Sequence, residues 1–509
     1  MGAHRQINAK LEAPEIVPVP DLATLRGVAS ADASEDHSLE AVHWDTADLR
    51  LARARITLRR RTGGASQGWQ LKVPVSADEW IDLRAPLGTD DAVVPAELLA
   101  AIAARVREAT IEPVVVLRTA RKVHALRDAH GRVLLTVADD AVTAVAPGPG
   151  GARVDAWREW EVELGHGDQD LLARALGRLR AGGGTAPAWT SKLTRALGEQ
   201  LVAAASEDPD GDPLDPRFAG AVLRDHLRSK RDLLLARDPR VRRNQPGAAH
   251  QMRAATGALR AALATFRPLL VREPSELVRV ELGWLAGLLG ADRDAQLARE
   301  QLAELVAQEA SDLVLGPVVQ RLSTDLAADC SDAHRRVLEA LDSGRYFQLL
   351  DALDELVMAP QLTKAAAKPA DRVLPALVRR DWVRLVAAYD AASSALPGAR
   401  RDALLGEAAK ACTRVRCAAD VAAPVVGGPA VKLARAAKEL QTLLAHREDL
   451  VMLGAVLRGV AVDAAQAGEN SFTYGRLHAL AQARAASVDE RLPAAWDKVS
   501  APRRHRWMR

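Results

Sequence analysis

Cysteine is scarce in this chain. Cys330, Cys412 and Cys417 are the only three in 509 residues; they form no even disulfide set and no metal-ligand spacing with histidine, read as buried thiols, and fit a reducing cytoplasm. Long apolar runs are missing as well: none approaches 18 residues, so no membrane-spanning helix is expected. The opening MGAHRQINAK lacks an apolar signal core, and Gln6 stands where a myristoylation signal needs Ser or Thr. Aromatic residues are 3% of the chain, few for the stacking platforms of a single-strand nucleic-acid binder, and no groove-reading motif is present. The last absence is an excess of one charge. Lys plus Arg number 69 against 66 for Asp plus Glu, a net +3, so attraction for anions has to come from local clustering.

What is present divides into two grammars. At this length the prior is roughly two to four domains, and 48% apolar residues suffice for burial. Up to about residue 165 short strand-like runs (RITLRRR, WQLKV, VVVLRTARKVHAL, RVLLTVADDAVTAV, WREWEVEL) are separated by TGG, DAHG and PGPGG turns, the pattern of antiparallel hairpins. Helical text covers 95–108 and 168–205, and EDPDGDPLDP at 207–216 is a turn-rich acidic connector. Beyond it the text is helical, as in HQMRAATGALRAALATFRPLL, where Met252, Ala255, Leu259, Ala262, Leu263 and Phe266 form a stripe. His250–Arg260 echoes Gly406–Arg416 at an offset of 156, which suggests a duplicated bundle. The expected fold is α+β: an antiparallel β-barrel over 1–200, a linker at 201–216, and an all-α bundle of two pseudo-repeats over 217–505.

Charge placement in the strand half is specific. Side chains alternate along a strand, so Thr57, Arg59 and Arg61 share one face and Ile56, Leu58 and Arg60 the other. Lys72, Arg84, Arg118 and Arg121 add further cations, and Glu159, Glu161 and Glu163 alternate in EWEVEL. Two readings of the cations stand at this point: solvated, edge-protecting charge, or a barrel lumen that needs a polyanion to neutralise it. The glutamates likewise either pair with the arginines across the barrel or offer carboxylates to a hard divalent cation.

HWDTADLRLARARITLRRRTGGASQGWQLKVP, followed by RTARKVHALRDAHGRVLLTVADDAVTAV, WREWEVELGHGD and SKLTRALG, resembles a CYTH domain, the triphosphate tunnel metalloenzyme fold, over roughly residues 1–200. The resemblance implies a closed barrel whose lumen binds a triphosphate group. It further implies that Lys10, Arg59, Arg61, Lys72, Arg84, Arg118 and Arg121 contact phosphates, that Lys192 lines the tunnel, and that Glu161 and Glu163 hold Mg²⁺ or Mn²⁺. The family's first strand carries Glu-x-Glu-x-Lys; here Gln6 and Asn8 replace both carboxylates, and Thr136 replaces a third acid. Amides keep the shape but lose the charge a hard cation needs, so the metal site is expected to be weakened and turnover poor.

The helical half is similar to a CHAD domain over roughly 215–505, through FAGAVLRDHLRSKRDLLLARDPRVRRNQPGAAHQMRAATGALRAALATFRPLL, LGWLAGLLGADRDAQL, LDSGRYFQLLDAL and GENSFTYGRLHALAQARAA. That resemblance implies pseudo-symmetric bundles flanking a basic channel for inorganic polyphosphate. His250, Arg253 and Arg260 would form a row along it, Lys410, Arg414 and Arg416 would stand on the partner helix, and Arg293, Arg345 and Lys438 would add contacts. Gly257-Ala258, Gly406, Ala409 and Thr413 thin the family's basic row. The leading expectation is a cytoplasmic binder of polyphosphate or triphosphate, resident at polyphosphate bodies in one version, with no membrane partner. A metal-dependent triphosphatase using Glu161, Glu163 and Asp139 is the competing reading, and non-specific nucleic-acid binding is a disfavoured third.

Overall fold

The computed structural model describes residues 8–32, 34–64, 67–74, 80–88, 90, 93–148, 151–207 and 214–508. The chain forms two compact units, Met1–Asp208 and Pro209–Arg509.

The first unit is one antiparallel sheet. Its strands are β1 (Asn8–Glu12), β2 (Ser30–Ala31), β3 (Glu35–Asp45), β4 (Thr57–Thr62), β5 (Gly68–Pro74), β6 (Trp80–Ala85), β7 (Glu112–Arg127), β8 (Val133–Gly148) and β9 (Gly151–Leu164). They lie in the order β1-β9-β8-β7-β3-β4-β5-β6, with β2 paired onto β7. The TGG turn joins β4 to β5 because Gly63 has φ +81° and a Cβ there would run into the Ser38 carbonyl. Helices α1 (Arg50–Arg53), α2 (Ala96–Val106), α3 (Gln169–Ala181), α4 (Lys192–Leu197) and α5 (Glu199–Glu207) complete the unit, so helix fills the first half of the linker expected at 201–216.

Strand alternation decides what faces inward. On β8, Leu135 and Val137 are fully buried against Trp160, Val162 and the Leu171, Ala175 and Leu179 stripe of α3. On β4 and β5, Leu58, Trp69, Leu71 and Val73 pack on Leu98, Ala101 and Ile102 of α2. The apolar half of these strands therefore faces the helices outside, and the polar half is left for the concave side. Arg59 on β4 and Glu161 on β9 are four strands apart, roughly 19 Å on a flat sheet. Glu161 nevertheless acts on the charges of both Arg59 and Arg61, which requires the sheet to curl into a tunnel. Among the described residues no ladder joins β6 to β1, so the barrel expected to be closed is a sheet curled on itself.

The second unit is helical: α6 (Ala219–Arg242), α7 (Ala248–Thr265), α8 (Arg272–Gln308), α9 (Val318–Leu341), α10 (Gly344–Met358), α11 (Ala370–Ser393), α12 (Ala399–Val426), α13 (Gly428–Gln466), α14 (Phe472–Ser500) and α15 (Pro502–His505). Shifting α6, α7, α8 and α9 by the 156-residue offset lays them on α11, α12, α13 and α14 in turn. The short echo in the sequence is thus a duplication of four helices, with α10 between the copies. Each helix packs on its neighbours in its own repeat, and α6, α7 and α8 also touch their counterparts α11, α12 and α13. The expected α7 stripe is core throughout, with Met252, Leu259, Ala262 and Phe266 fully buried. Each such large side chain contributes about 1.5–3 kcal/mol over leaving it in water. Cys412 and Cys417 are buried as expected, whereas Cys330 is only partly covered.

Candidate functional site

The concave side of the strand unit collects charge from seven strands and histidines from an eighth, β3. Register places Lys10, Glu161 and Ala138 on one row, Glu12, Glu159, Asp140, Arg121 and His37 on the next, and Ala41 with Arg61 and His43 with Arg59 beyond them. Thr57 with Lys72 and Asp82, and Gln70 with Arg84, extend the same face.

One wall is acidic and already neutralised. Arg121 donates to both oxygens of Asp140 at 2.7 Å and to Glu161 at 2.9 Å. Lys192 reaches Glu159 at 2.5 Å and Asp140 at 2.9 Å, and Lys10 lies 3.7 Å from Glu161. Trp157 Nε1 donates to the second oxygen of Glu159 at 3.0 Å. Lys192 is the first residue of α4, whose start is fixed by a capping box between Ser191 and Thr194. Burial alone would raise the Asp140 and Glu161 carboxyls, but the surrounding cations win and hold both below their ordinary values. Their carboxylates meanwhile hold Arg121 and Lys192 above theirs.

The opposite wall is cationic. Arg59 donates twice to Gln70 Oε1, at 3.0 and 2.6 Å; Gln70 in turn donates to Asp82, which also takes Arg84 at 3.2 Å. Burial and the neighbouring Arg61 lower Arg59 to about 10. Lys72 is lowered by burial and then by Arg59, and makes no ion pair among the described residues. Crowded cations that disfavour one another are the electrostatic condition for binding an anion.

Most expected lumen residues meet here, with two exceptions. Arg118 sits opposite Glu40 and Thr143 on the outer face, two-thirds exposed, and donates to Glu40 at 2.9 Å. It lies three positions from Arg121, and an odd spacing on a strand puts side chains on opposite faces. Asp139 also faces outward, bound to Arg158, so Asp140 is the inward acid. Parity with Thr136 would have identified it. Gln70, Asp82 and His43 were not foreseen; His43 is 3% exposed and neither ring nitrogen has a partner.

For the implied Mg²⁺ or Mn²⁺, the donor set does not fit. Glu161, Glu159 and Asp140 are spoken for by ammonium and guanidinium groups, and Glu163 is exposed at the strand end. Among the described residues no three carboxylate, imidazole or thiol groups converge at metal-ligand spacing. Gln6 lies outside the described residues, as does the side chain of Asn8, whose backbone pairs with Glu163.

In the helical unit the nine expected residues separate. Arg253 and Arg260 lie over Gly290 and Gly283 of α8, and His250 feels Arg293, so this row follows the seam between α7 and α8. Arg293 is clamped by Asp449 at 2.6 and 2.8 Å. Arg345 pairs with Glu281 and stacks on Trp284 at 4.2 Å, and Lys410 pairs with Glu407. Arg416 donates to Gln441 at 2.7 Å and pairs with Asp420, near the exposed Lys438. Arg414 points elsewhere, to Asp381 at 3.0 Å, because residues two apart on a helix diverge. The α12 cations therefore do not continue the α7 row; α7 meets α12 through Ala258, Ala261 and Cys417.

The CHAD domain family matches residues 225–458. Two uncharacterised Mycobacterium tuberculosis proteins, from strains CDC 1551 / Oshkosh and ATCC 25618 / H37Rv, are each 34% identical over 513 residues, covering 97% of this chain and 96% of their own. Among solved structures, PptA from Streptomyces chartreusis is 23% identical at a TM-score of 0.46, over 55% of this chain and 99% of its own. The PH1819 protein from Pyrococcus horikoshii is 14% identical at 0.24, over 39% and 99%. At these TM-scores the structural likeness is loose.

Proposed function

The chain belongs to one family with the two mycobacterial proteins and carries a CHAD domain at 225–458, and from that premise we propose that it binds condensed phosphate, triphosphate in the strand lumen and inorganic polyphosphate on the helical unit, without efficient hydrolysis in the lumen. The observation that carries this reading is the asymmetry of the lumen. Its acidic wall is bound by Lys10, Arg121 and Lys192, while Arg59, Arg61, Lys72 and Arg84 face the same space with Asp82 as the acid beside them. An anion bound against the cationic wall would relieve its mutual repulsion, and guanidinium groups match phosphate oxygens in charge and geometry. Phosphoryl transfer in such a site asks for a cation bridging phosphate oxygens, and carboxylates already held by lysine and arginine are poor ligands for one. No helix among the described residues is long and apolar enough to cross a membrane.

The test is phosphate release from inorganic triphosphate by the full chain with Mn²⁺, with Mg²⁺ and with chelator, beside calorimetric binding of triphosphate. Binding that Lys72→Ala weakens, with release no faster than in chelator, is the expected result. Metal-dependent release abolished by Lys72→Ala would make the protein an enzyme and overturn the reading. With the expected result, Gln6→Glu together with Asn8→Glu should raise release in the otherwise inert protein.

A further inference from the structure

A second cationic site lies in the helical unit, apart from the α7–α8 row. Arg267, Arg279, Arg380, Arg384 and Arg414 line a cavity of about 270 Å³ together with Glu276. These residues come from the turn that follows α7, the start of α8, and from α11 and α12, so tertiary packing alone assembles them.

Their internal bonds leave most of the charge unspent. Glu276 is taken by Arg279, at 2.9 and 2.5 Å. Asp381, buried below, accepts from Arg384 at 2.9 Å and forms an ion pair with Arg414 at 3.0 Å, and Arg380 donates to the Thr265 carbonyl at 2.8 Å. Arg267 makes no ion pair among the described residues. Five guanidinium groups thus meet two carboxylates, an excess of three positive charges around one small concavity. Burial and the repulsion of Arg384, Arg380 and Arg279 together lower the Arg414 guanidinium, and its Nε is buried without a partner.

The duplication supplies an internal comparison. At the 156-residue offset Arg380, Arg384 and Arg279 correspond to Arg224, Arg228 and Arg435. Arg414 and Arg267, however, correspond to Ala258 and Ala423, and Ala264 of the lining corresponds to Asp420. The counterpart place has two fewer arginines; Lys432 stands there for Glu276, and Asp420 for Ala264, where it pairs with Arg416 at 3.1 Å. The repeats share a scaffold, but only one of them concentrates arginines this way.

We propose that the arginine pocket is a discrete binding site for a compact phosphate group, free or as the end of a condensed-phosphate chain. At about 270 Å³ the cavity suits one or two phosphate groups and not the body of a polymer. Guanidinium forks match phosphate oxygens bidentately, and an excess of three positive charges suits a multiply charged oxyanion better than a single carboxylate. The site draws on none of the strand-lumen residues, so it stands or falls apart from the triphosphate reading.

Calorimetry on the full chain tests it, in an Arg59→Ala/Arg61→Ala background that silences the strand lumen. Orthophosphate, pyrophosphate and long-chain polyphosphate are titrated separately. Pyrophosphate is expected to bind one site per chain, weakened about tenfold by Arg384→Gln and by Arg279→Gln, and unchanged by Arg435→Gln at the counterpart position. Arg384 is half exposed, so its replacement opens no core. If Arg384→Gln also weakens long-chain polyphosphate, the pocket holds a chain end; if it weakens only the small anions, the ligand is a free phosphate. Absence of saturable pyrophosphate binding, or equal losses from Arg384→Gln and Arg435→Gln, overturns the proposal. Pyrophosphate binding that persists while long-chain polyphosphate fails to bind overturns the polyphosphate reading alone.

Discussion

His43 shows how one side chain can be fixed by what it faces. It lies opposite Arg59 on β4 and Val115 on β7, and burial, then Arg59 and Arg61, lower its imidazole from 6.5 to about 3. The ring is therefore neutral in the folded protein at pH 7, and its unsatisfied nitrogens cost about 1–3 kcal/mol. Because the folded value lies below the unfolded one, the unfolded chain takes up the proton first. Stability from this group is complete above pH 6.5 and lost as pH falls towards 3. His43→Phe should leave melting temperature at pH 7 unchanged or raised and flatten its decline between pH 6.5 and 4; parallel declines in both proteins, followed by circular dichroism, would refute this. His226, lowered by burial to about 4, sets a similar acid limit on the helical unit.

At the scale of the element, parity governs the strands. Arg59, Arg61 and Lys72 reach the lumen because even spacing and antiparallel register keep them on one face, and α2 covers the other. Arg118 carries the same charge on the wrong parity. In triphosphate titrations Arg61→Ala is expected to weaken binding about tenfold, whereas Arg118→Ala should leave it unchanged, since its pairing with Glu40 is a surface contact. Losses of equal size would mean that bulk charge, not the lumen, attracts the ligand. Parity was available in the sequence and would have excluded Arg118 and chosen Asp140 over Asp139. Helical spacing was equally readable in α7, yet the divergence of Arg414 from Arg416 shows that spacing predicts a face and not the neighbour that face meets.

On the scale of the whole molecule, duplication is the organising fact of the helical unit. Arg293 and Asp449 are separated by the repeat offset itself, and they bind each other. Positions equivalent by repeat that bind each other lie where the two copies meet, so this pair marks the seam between them. Asp449→Arg alone should destabilise by about 2–3 kcal/mol, because two part-buried guanidinium groups would then face each other. Adding Arg293→Asp should restore most of the loss in urea unfolding, as it returns an opposite-charge pair to the seam; a double variant no better than the single would show that the two positions do not support each other there.

The sequence by itself determined the two grammars, the α+β class, the face shared by Arg59 and Arg61, and the offset of 156, because strand alternation, helical periodicity and repetition are local properties written along the chain. It also displayed the amides at Gln6 and Asn8. Only the tertiary structure decided which carboxylates are spent on Arg121 and Lys192, that the nine helical cations separate, and that Arg267, Arg279, Arg380, Arg384 and Arg414 converge. Electrostatic pairing depends on distance in space, and residues brought together from three helices and a turn share no pattern along the chain that periodicity could reveal.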